Sequence, residues 1–279
     1  MARDTLKRLA DALGRPTYRF DSGRREGLEA ALGLSTDELL RLLVGYIKPE
    51  ARCDISRFEV GTAGLTAAGE IFLGVNLEYE GASLGQTVHA EQCLVSWTRT
   101  CSASPLVALA VSAPPCGHCR QFLREFDHDG RIRLLIGDEP AAEASSLLPR
   151  AFTPLDLGVE EPFFREPLDL SGVGETEEAA RRASALAYTP YSGSRAGAAV
   201  RLADGRFLAG SALENAAYNP TLPAFQAVLV SCHVHGVDLS EIEEVVFCQA
   251  KSPIDYKEQS EALALSLGVP SDRIRSVLL

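Results

Sequence analysis

No stretch of this 279-residue chain approaches the roughly 18 consecutive apolar residues that a membrane-crossing helix needs. Basic residues are also scarce. Lys and Arg total 27 against 38 Asp and Glu, a formal charge of −11. A chain this acidic gains nothing from displacing counterions off phosphates, which argues against general binding to nucleic acid or anionic membranes. The N-terminus carries Arg3, Asp4, Lys7 and Arg8 without an apolar core. It does not read as a secretory signal, and a cytoplasmic protein is expected. Seven cysteines, an odd count in a long chain, do not make a disulfide framework. Gly172-Val173-Gly174 lacks a third glycine and a preceding strand, so it is no dinucleotide loop.

What is present is ample apolar surface, 46% of residues, enough for one large domain or two to three modest ones. Residues 1–45 read as a small helical N-terminal unit. Leu6, Leu9, Ala10 and Leu13 share a helix face ahead of Gly14, and Ser35 stands at capping-box spacing from Glu38 before Leu39, Leu40, Leu42 and Leu43. Residues 46–150 read as a layered α/β domain. Residues 58–65 and 71–77 form a hairpin about Ala67-Ala68-Gly69-Glu70, and a helix from near Val88 carries Ala90, Cys93, Leu94 and Trp97 on one face. Residues 106–111 form a strand buried on both faces, a second helix after Cys116 holds Phe122, Leu123 and Phe126, and residues 132–136 form another strand. Residues 151–175, rich in proline, read as a linker laid along the surface, with Phe152, Phe163 and Phe164 needing burial. Residues 176–279 repeat the first domain. A shift of 136 sets residues 58–74 on 194–210 without a gap, Gly61 on Gly197, Gly69 on Gly205, Gly74 on Gly210 and Glu78 on Glu214. A two-residue deletion then brings Gln92 onto Gln226.

The chemistry gathers in His89-Ala90-Glu91 and Pro115-Cys116-Gly117-His118-Cys119. Two thiolates of a C-x-x-C turn with one imidazole make a zinc ligand set. There is no second C-x-x-C and no H-x(3–5)-H to close a structural site. One His and two Cys leave a position for water, the catalytic pattern. Glu91, two residues after His89 at the start of a helix, borders the same pocket and can take a proton from that water and return it to a substrate nitrogen. A redox C-x-x-C would leave His89-x-Glu91 and Pro115 unexplained, and a closed zinc site would need a further ligand. His118, inside the turn, is expected to point away toward solvent or to cap the helix. His128, between Asp127 and Asp129, reads as a loop residue. His233 and His235 read as a weak surface pair, Trp97 as core, and the other cysteines as small buried residues or idle thiols.

The signature H-x-E … P-C-x-x-C resembles that of zinc deaminases acting on nucleobases. Thr87-Val88-His89-Ala90-Glu91-Gln92, Pro115 to Phe122 and Asn76-Leu77-Glu78 are similar to cytidine deaminase. Ala187-Tyr188-Thr189-Pro190-Tyr191-Ser192 and residues 214–223 resemble the second half of its long, two-repeat form. The resemblance implies a duplicated three-layer α/β/α domain with a mixed sheet, one zinc per chain on His89, Cys116 and Cys119, and Glu91 as proton shuttle. It also implies that Asn76 and Glu78 bind the ribose 3′-hydroxyl, that Phe58 packs on the pyrimidine and that the Ala90 N–H helps hold the base. A homodimer is implied, with Ala216, Ala217 and Tyr218 reaching the partner chain's pocket. The reaction implied is deamination of cytidine and 2′-deoxycytidine to uridine and 2′-deoxyuridine, with release of ammonia, in pyrimidine salvage. The second repeat has Pro223-Ala224-Phe225 where His89-Ala90-Glu91 stood, no C-x-x-C, Ser194 for Phe58 and Ala212 for Asn76. It cannot run the chemistry. The rivals are a deaminase for nucleotides, free bases or polynucleotides, and a non-catalytic zinc-binding interaction protein.

Overall fold

The computed structural model describes residues 2–127 and 129–279, so His128 lies outside the described residues. Helix α1 (Ala2–Leu13) turns Leu9 into the core and stops at Gly14, which is in the left-handed region. Strand β1 (Arg19–Phe20), α2 (Ser22–Leu32) and α3 (Thr36–Ile47) follow. The capping box at α3 forms as its spacing predicts: Ser35 Oγ accepts from Glu38 N, and the Glu38 carboxylate accepts from Ser35 N. Leu39, Leu40 and Leu43 are fully buried behind it.

The first α/β half comprises β2 (Gly61–Thr66), β3 (Ile71–Val75), α4 (Ala90–Cys101), β4 (Leu106–Val111), α5 (Gly117–Leu123), β5 (Arg133–Ile136) and β6 (Ala142–Glu143). Its sheet runs β1-β3-β2-β4-β5-β6, with β4 and β5 parallel and the other pairs antiparallel. The second half comprises α6 (Thr176–Ala185), β7 (Ala196–Leu202), β8 (Phe207–Ser211), α7 (Ala224–Val234), β9 (Ile242–Gln249), α8 (Lys257–Ser266) and β10 (Ile274–Leu278). Its order β10-β9-β7-β8, parallel only between β9 and β10, reproduces β5-β4-β2-β3. Register repeats too. Gly61 faces Val75 and Gly197 faces Ser211, and the irregularity between Leu65 and Thr66 recurs between Arg201 and Leu202.

Two glycine pairs show why both sheets carry a helix on each face. A Cβ on Gly61 would lie 2.8 Å from Val44 O of α3, and one on Gly197 would lie 2.3 Å from Ala180 O of α6. On the opposite faces, a Cβ on Gly74 would lie 2.5 Å from Leu94 N of α4, and one on Gly210 would lie 2.5 Å from Val228 N of α7. The helix backbones rest directly on the strands, giving three α/β/α layers twice. α3, within the stretch read as the N-terminal unit, packs on β2 as α6 packs on β7. Gly74→Ala pushes a methyl group into α4 backbone and is expected to destabilise by about 2 kcal/mol or more. The melting midpoint should fall by about 5 °C or more, and a shift under about 2 °C would show that the close approach is dispensable.

The halves meet through α4 and α7 in a swapped pair of contacts. Gln92 Nε2 donates to Pro220 O at 3.1 Å, and Gln226 Nε2 donates to Gln86 O at 2.9 Å. Reciprocity of this kind is what a two-fold relation between the repeats requires. Between them, Phe163 is buried against Phe126 and Tyr188, and Phe164 is half-buried. Phe152 departs from expectation: its ring is 46% exposed, and the residue is held instead through its carbonyl, which accepts from Gln121 Nε2. Val107 likewise leaves the otherwise buried β4 for solvent. Among the described residues no helix is long and apolar enough to cross a membrane.

Candidate active site

The metal-ligand candidates sit at helix entries. His89 is the N-cap of α4 and Cys116 the N-cap of α5, both with extended backbone, and Cys119 follows one turn into α5. Both helices aim their N-termini at one spot, where the partial positive charge favours thiolate. Gln92 Oε1 accepts from His89 N at 3.2 Å and fixes the first turn of α4.

His89 Nδ1 lies 3.5 Å from Cys116 Sγ and 3.3 Å from Cys119 Sγ, and the sulfurs lie 3.5 Å apart. Tetrahedral zinc with ordinary bond lengths calls for about 3.6 Å between ligand nitrogen and sulfur and about 3.8 Å between sulfurs. The three side chains fit the ion with shifts of a few tenths of an ångström, and they form the metal-ligand cluster found among the described residues. Contacts with the Cys119 thiol and the His89 ring pull the Cys116 thiol down to about 3. The same sulfur–sulfur contact, with burial, pushes Cys119 up, and the Cys116 contact raises His89.

Glu91, in the first turn of α4, is 3% exposed, and its Oε2 lies 3.1 Å from Cys119 Sγ. Burial raises its carboxyl above the usual range, toward one in which it can hold a proton. His118 does not point away. Its ring stacks on His89 at 4.8 Å and 16°, with Nε2 buried and without a hydrogen-bond partner among the described residues. The first turn of α5 brings it under the entry of α4, a through-space relation that spacing does not reveal. His233 and His235 do not form a surface pair: His233 is partly buried and His235 is exposed. His233 Nε2 meets Tyr18 Oη at 2.9 Å, and burial lowers His233 to about 4. His235 Nδ1 contacts Ser231 O, and its ring lies edge-on to Trp97. Trp97 is half-buried at the core's edge.

His89, Glu91, Cys116 and Cys119 line a cavity of about 260 Å³ together with Phe58, Asn76, Glu78 and Ala90. Glu78 sits in a cradle of hydrogen-bond donors. Its Oε2 accepts from Ile55 N (3.0 Å) and Ser56 N (2.8 Å), and its Oε1 accepts from Ser56 Oγ (2.5 Å) and Asn76 Nδ2 (3.3 Å). Burial raises its carboxyl, but these bonds outweigh burial and hold it below the usual range. Asn76 also ties the loop, accepting from Val60 N and donating to Phe58 O. Phe58 stands at the rim, 59% exposed. Sequence reasoning missed Ser56, although the shift of 136 sets it on Ser192. Glu214 of the second repeat accepts from Tyr191 N, Ser192 N and Ser192 Oγ in the same manner. Ala216, Ala217 and Tyr218 do not line this cavity. Tyr218 lies 66% exposed in the left-handed region, while Ala216 is buried. A larger open groove of about 890 Å³ runs between Arg52 and the turns at residues 236–242 and 266–273, away from the ligand cluster.

Solved structures similar to part of this chain include a cytidine deaminase from Mycobacterium tuberculosis, at 31% identity over 41% of this chain and 95% of that one, with a TM-score of 0.35. Another is a cytidine deaminase from Burkholderia pseudomallei, at 28% identity over 41% of this chain and 98% of that one, with a TM-score of 0.37. The family model for the cytidine and deoxycytidylate deaminase zinc-binding region matches residues 35–134, and a second model of that description matches residues 144–261. Together the two matches take in most of the chain, and the first contains His89, Glu91, Cys116 and Cys119. The chain therefore belongs to the cytidine and deoxycytidylate deaminase family, as a zinc-dependent hydrolase built of two repeats.

Proposed function

We propose that the protein hydrolyses cytidine and 2′-deoxycytidine to uridine and 2′-deoxyuridine with release of ammonia, as a cytoplasmic homodimer serving pyrimidine salvage. The observation that carries this reading is one cavity lined together by a His/Cys/Cys cluster, the buried Glu91 and the Glu78 carboxylate. In this reading residues 46–150, completed by β1 and α3, are the catalytic domain, residues 176–279 are a repeat without ligands, residues 151–175 join them and the rest of residues 1–45 is a helical addition.

His89, Cys116 and Cys119 would hold the zinc. When bound, zinc supplies a Lewis acid that makes water nucleophilic near neutral pH. Glu91 takes one proton from the attacking water and passes it to N3 of the cytosine; it then takes the second proton from the hydroxyl now on C4 and delivers it to the amino group, which leaves as ammonia as the C4 carbonyl forms. The Ala90 N–H, at the start of α4, helps hold the base. Phe58 packs on the pyrimidine face from the rim. Glu78 accepts from the ribose 3′-hydroxyl. About four acceptor positions are available on a carboxylate, and all four are engaged, so the sugar hydroxyl takes the place of the Ser56 hydroxyl. A phosphate there would meet like charge, which favours nucleosides over nucleotides. Asn76 frames the pocket and offers its Oδ1. The open rim at Phe58 is closed by Ala216, Ala217 and Tyr218 of a second copy, which is why the exposed Tyr218 ring is kept on a repeat without ligands.

Ammonia release measured on cytidine, 2′-deoxycytidine, cytidine monophosphate and cytosine, beside elemental analysis, tests this. The two nucleosides should react and one zinc per chain should be found. Preference for the monophosphate or the free base overturns the nucleoside reading, and zinc without ammonia release favours an interaction protein. Close to two zincs per chain would point to a second metal site.

A further inference from the structure

The proposed mechanism leaves one fully buried carboxylate unused. Glu125 lies two residues beyond α5, the helix that carries Cys119. Tyr188 Oη donates to its Oε1 at 2.9 Å, Tyr191 Oη donates to the same oxygen, and Ala216 N donates to its Oε2 at 2.7 Å. Tyr188, Tyr191 and Ala216 belong to the second repeat. Beside them Gln121 of α5 and Asn215 clasp each other: Asn215 Nδ2 donates to Gln121 O at 3.2 Å, and Gln121 Nε2 donates to Asn215 Oδ1 at 3.4 Å. Asn215 Oδ1 also accepts from Ala217 N at 3.0 Å. The loop so held ends at Tyr218, at φ +63, with its ring 6.3 Å from that of Tyr191. A bulky residue keeps such a backbone only where its surroundings fix it. Glu125 and the Gln121–Asn215 clasp supply that fixation, and both are attached to the zinc-bearing helix.

We infer that Glu125 is a positioning residue that holds the loop of residues 216–218 in the shape that closes the partner's pocket, so that the α5 segment of one chain shapes the substrate site of the other. The inference rests on the proposed closure in trans. Hydrogen bonds from two tyrosine hydroxyls and a backbone N–H to one buried carboxyl group fix both the base of the loop and its orientation.

The test uses the whole chain. Glu125→Gln keeps the volume but turns an NH₂ group toward either Ala216 N–H or the tyrosine hydroxyls. KM for cytidine should rise by about tenfold, with kcat within about twofold and zinc content unchanged. Mixed dimers, co-expressed with two tags, separate positioning from a structural role. Pairing a Glu125→Gln chain with a Glu91→Gln chain leaves one competent pocket, covered by an unaltered loop, and the parental KM should return. Pairing the parent with a Glu91→Gln/Glu125→Gln chain should keep the raised KM. A raised KM in the first pairing means that Glu125 acts on its own chain's pocket and overturns the inference. Tyr218→Ala, run through the same pairings, tests the reading beneath: if it is not rescued in trans, closure by the partner fails whatever Glu125 does. Tyr191→Phe removes a single donor and guards against misfolding of the Glu125 variant; it should raise KM by about threefold with the same trans pattern. An unchanged KM in Tyr191→Phe and in every folded Glu125→Gln preparation also overturns the inference.

Discussion

Replacing Glu91 with glutamine is expected to lower kcat on cytidine by about 10⁴-fold or more while leaving zinc in place, since a positioned acid–base group contributes about 10²–10⁴-fold per transfer and Glu91 serves more than one. The geometry makes the comparison clean. Glu91 is almost wholly buried beside Cys119 and is not one of the three clustered ligands, so the amide keeps the volume and a hydrogen-bonding oxygen. What it loses is the ability to accept a proton and hand it on. Burial raises the carboxyl of Glu91, which suits it to both proton transfers. Ionised, it receives a proton; once protonated, it is not too acidic to retain that proton until N3 or the amino group takes it. Nucleoside binding, measured by calorimetry on the inactive variant, should weaken little or tighten, because Phe58, Asn76 and Glu78 are untouched. A glutamine variant that turns over cytidine within about tenfold of the parent, far short of the acid–base range, would remove Glu91 from the mechanism.

Ligands and duplication were legible because each leaves a short-range mark. The H-x-E and C-x-x-C spacings set ligands at helix entries, and glycines at Gly61, Gly74, Gly197 and Gly210 mark places where a helix backbone touches a strand. Contacts between distant segments left no such mark. β1 is two residues long, too short for any alternation, and α2 offers only Leu28 and Leu32, both partly buried, as an apolar stripe. The stacking of His118 on His89 depends on how two helix entries converge. The grip of Tyr188 and Tyr191 on Glu125 spans more than sixty residues and follows from the repeats' packing, which a pattern within either repeat does not encode. Ser56 was the recoverable omission, because the repeat itself sets a serine in the same place beside Glu214.

Cys116→Ala should empty the site and silence the enzyme together, with the fold intact. Two of the three clustered ligands, His89 and Cys119, would remain, and two protein ligands hold zinc far more weakly than three. Activity is expected to fall by about 10³-fold or more, because a metal's share in activating water is several kcal/mol. The structural cost is small for two reasons. Cys116 is exposed, so no cavity forms, and as N-cap of α5 it makes no side-chain capping bond that alanine would lose. Elemental analysis should fall from one zinc per chain to a trace, and the circular dichroism spectrum should match that of the parent. Glu91→Gln serves as the contrast, inactive with its zinc retained. If Cys116→Ala kept a full zinc equivalent, a ligand outside His89, Cys116 and Cys119 would have to hold the ion. If it kept zinc and cytidine turnover alike, the C-x-x-C turn would not be the metal site at all.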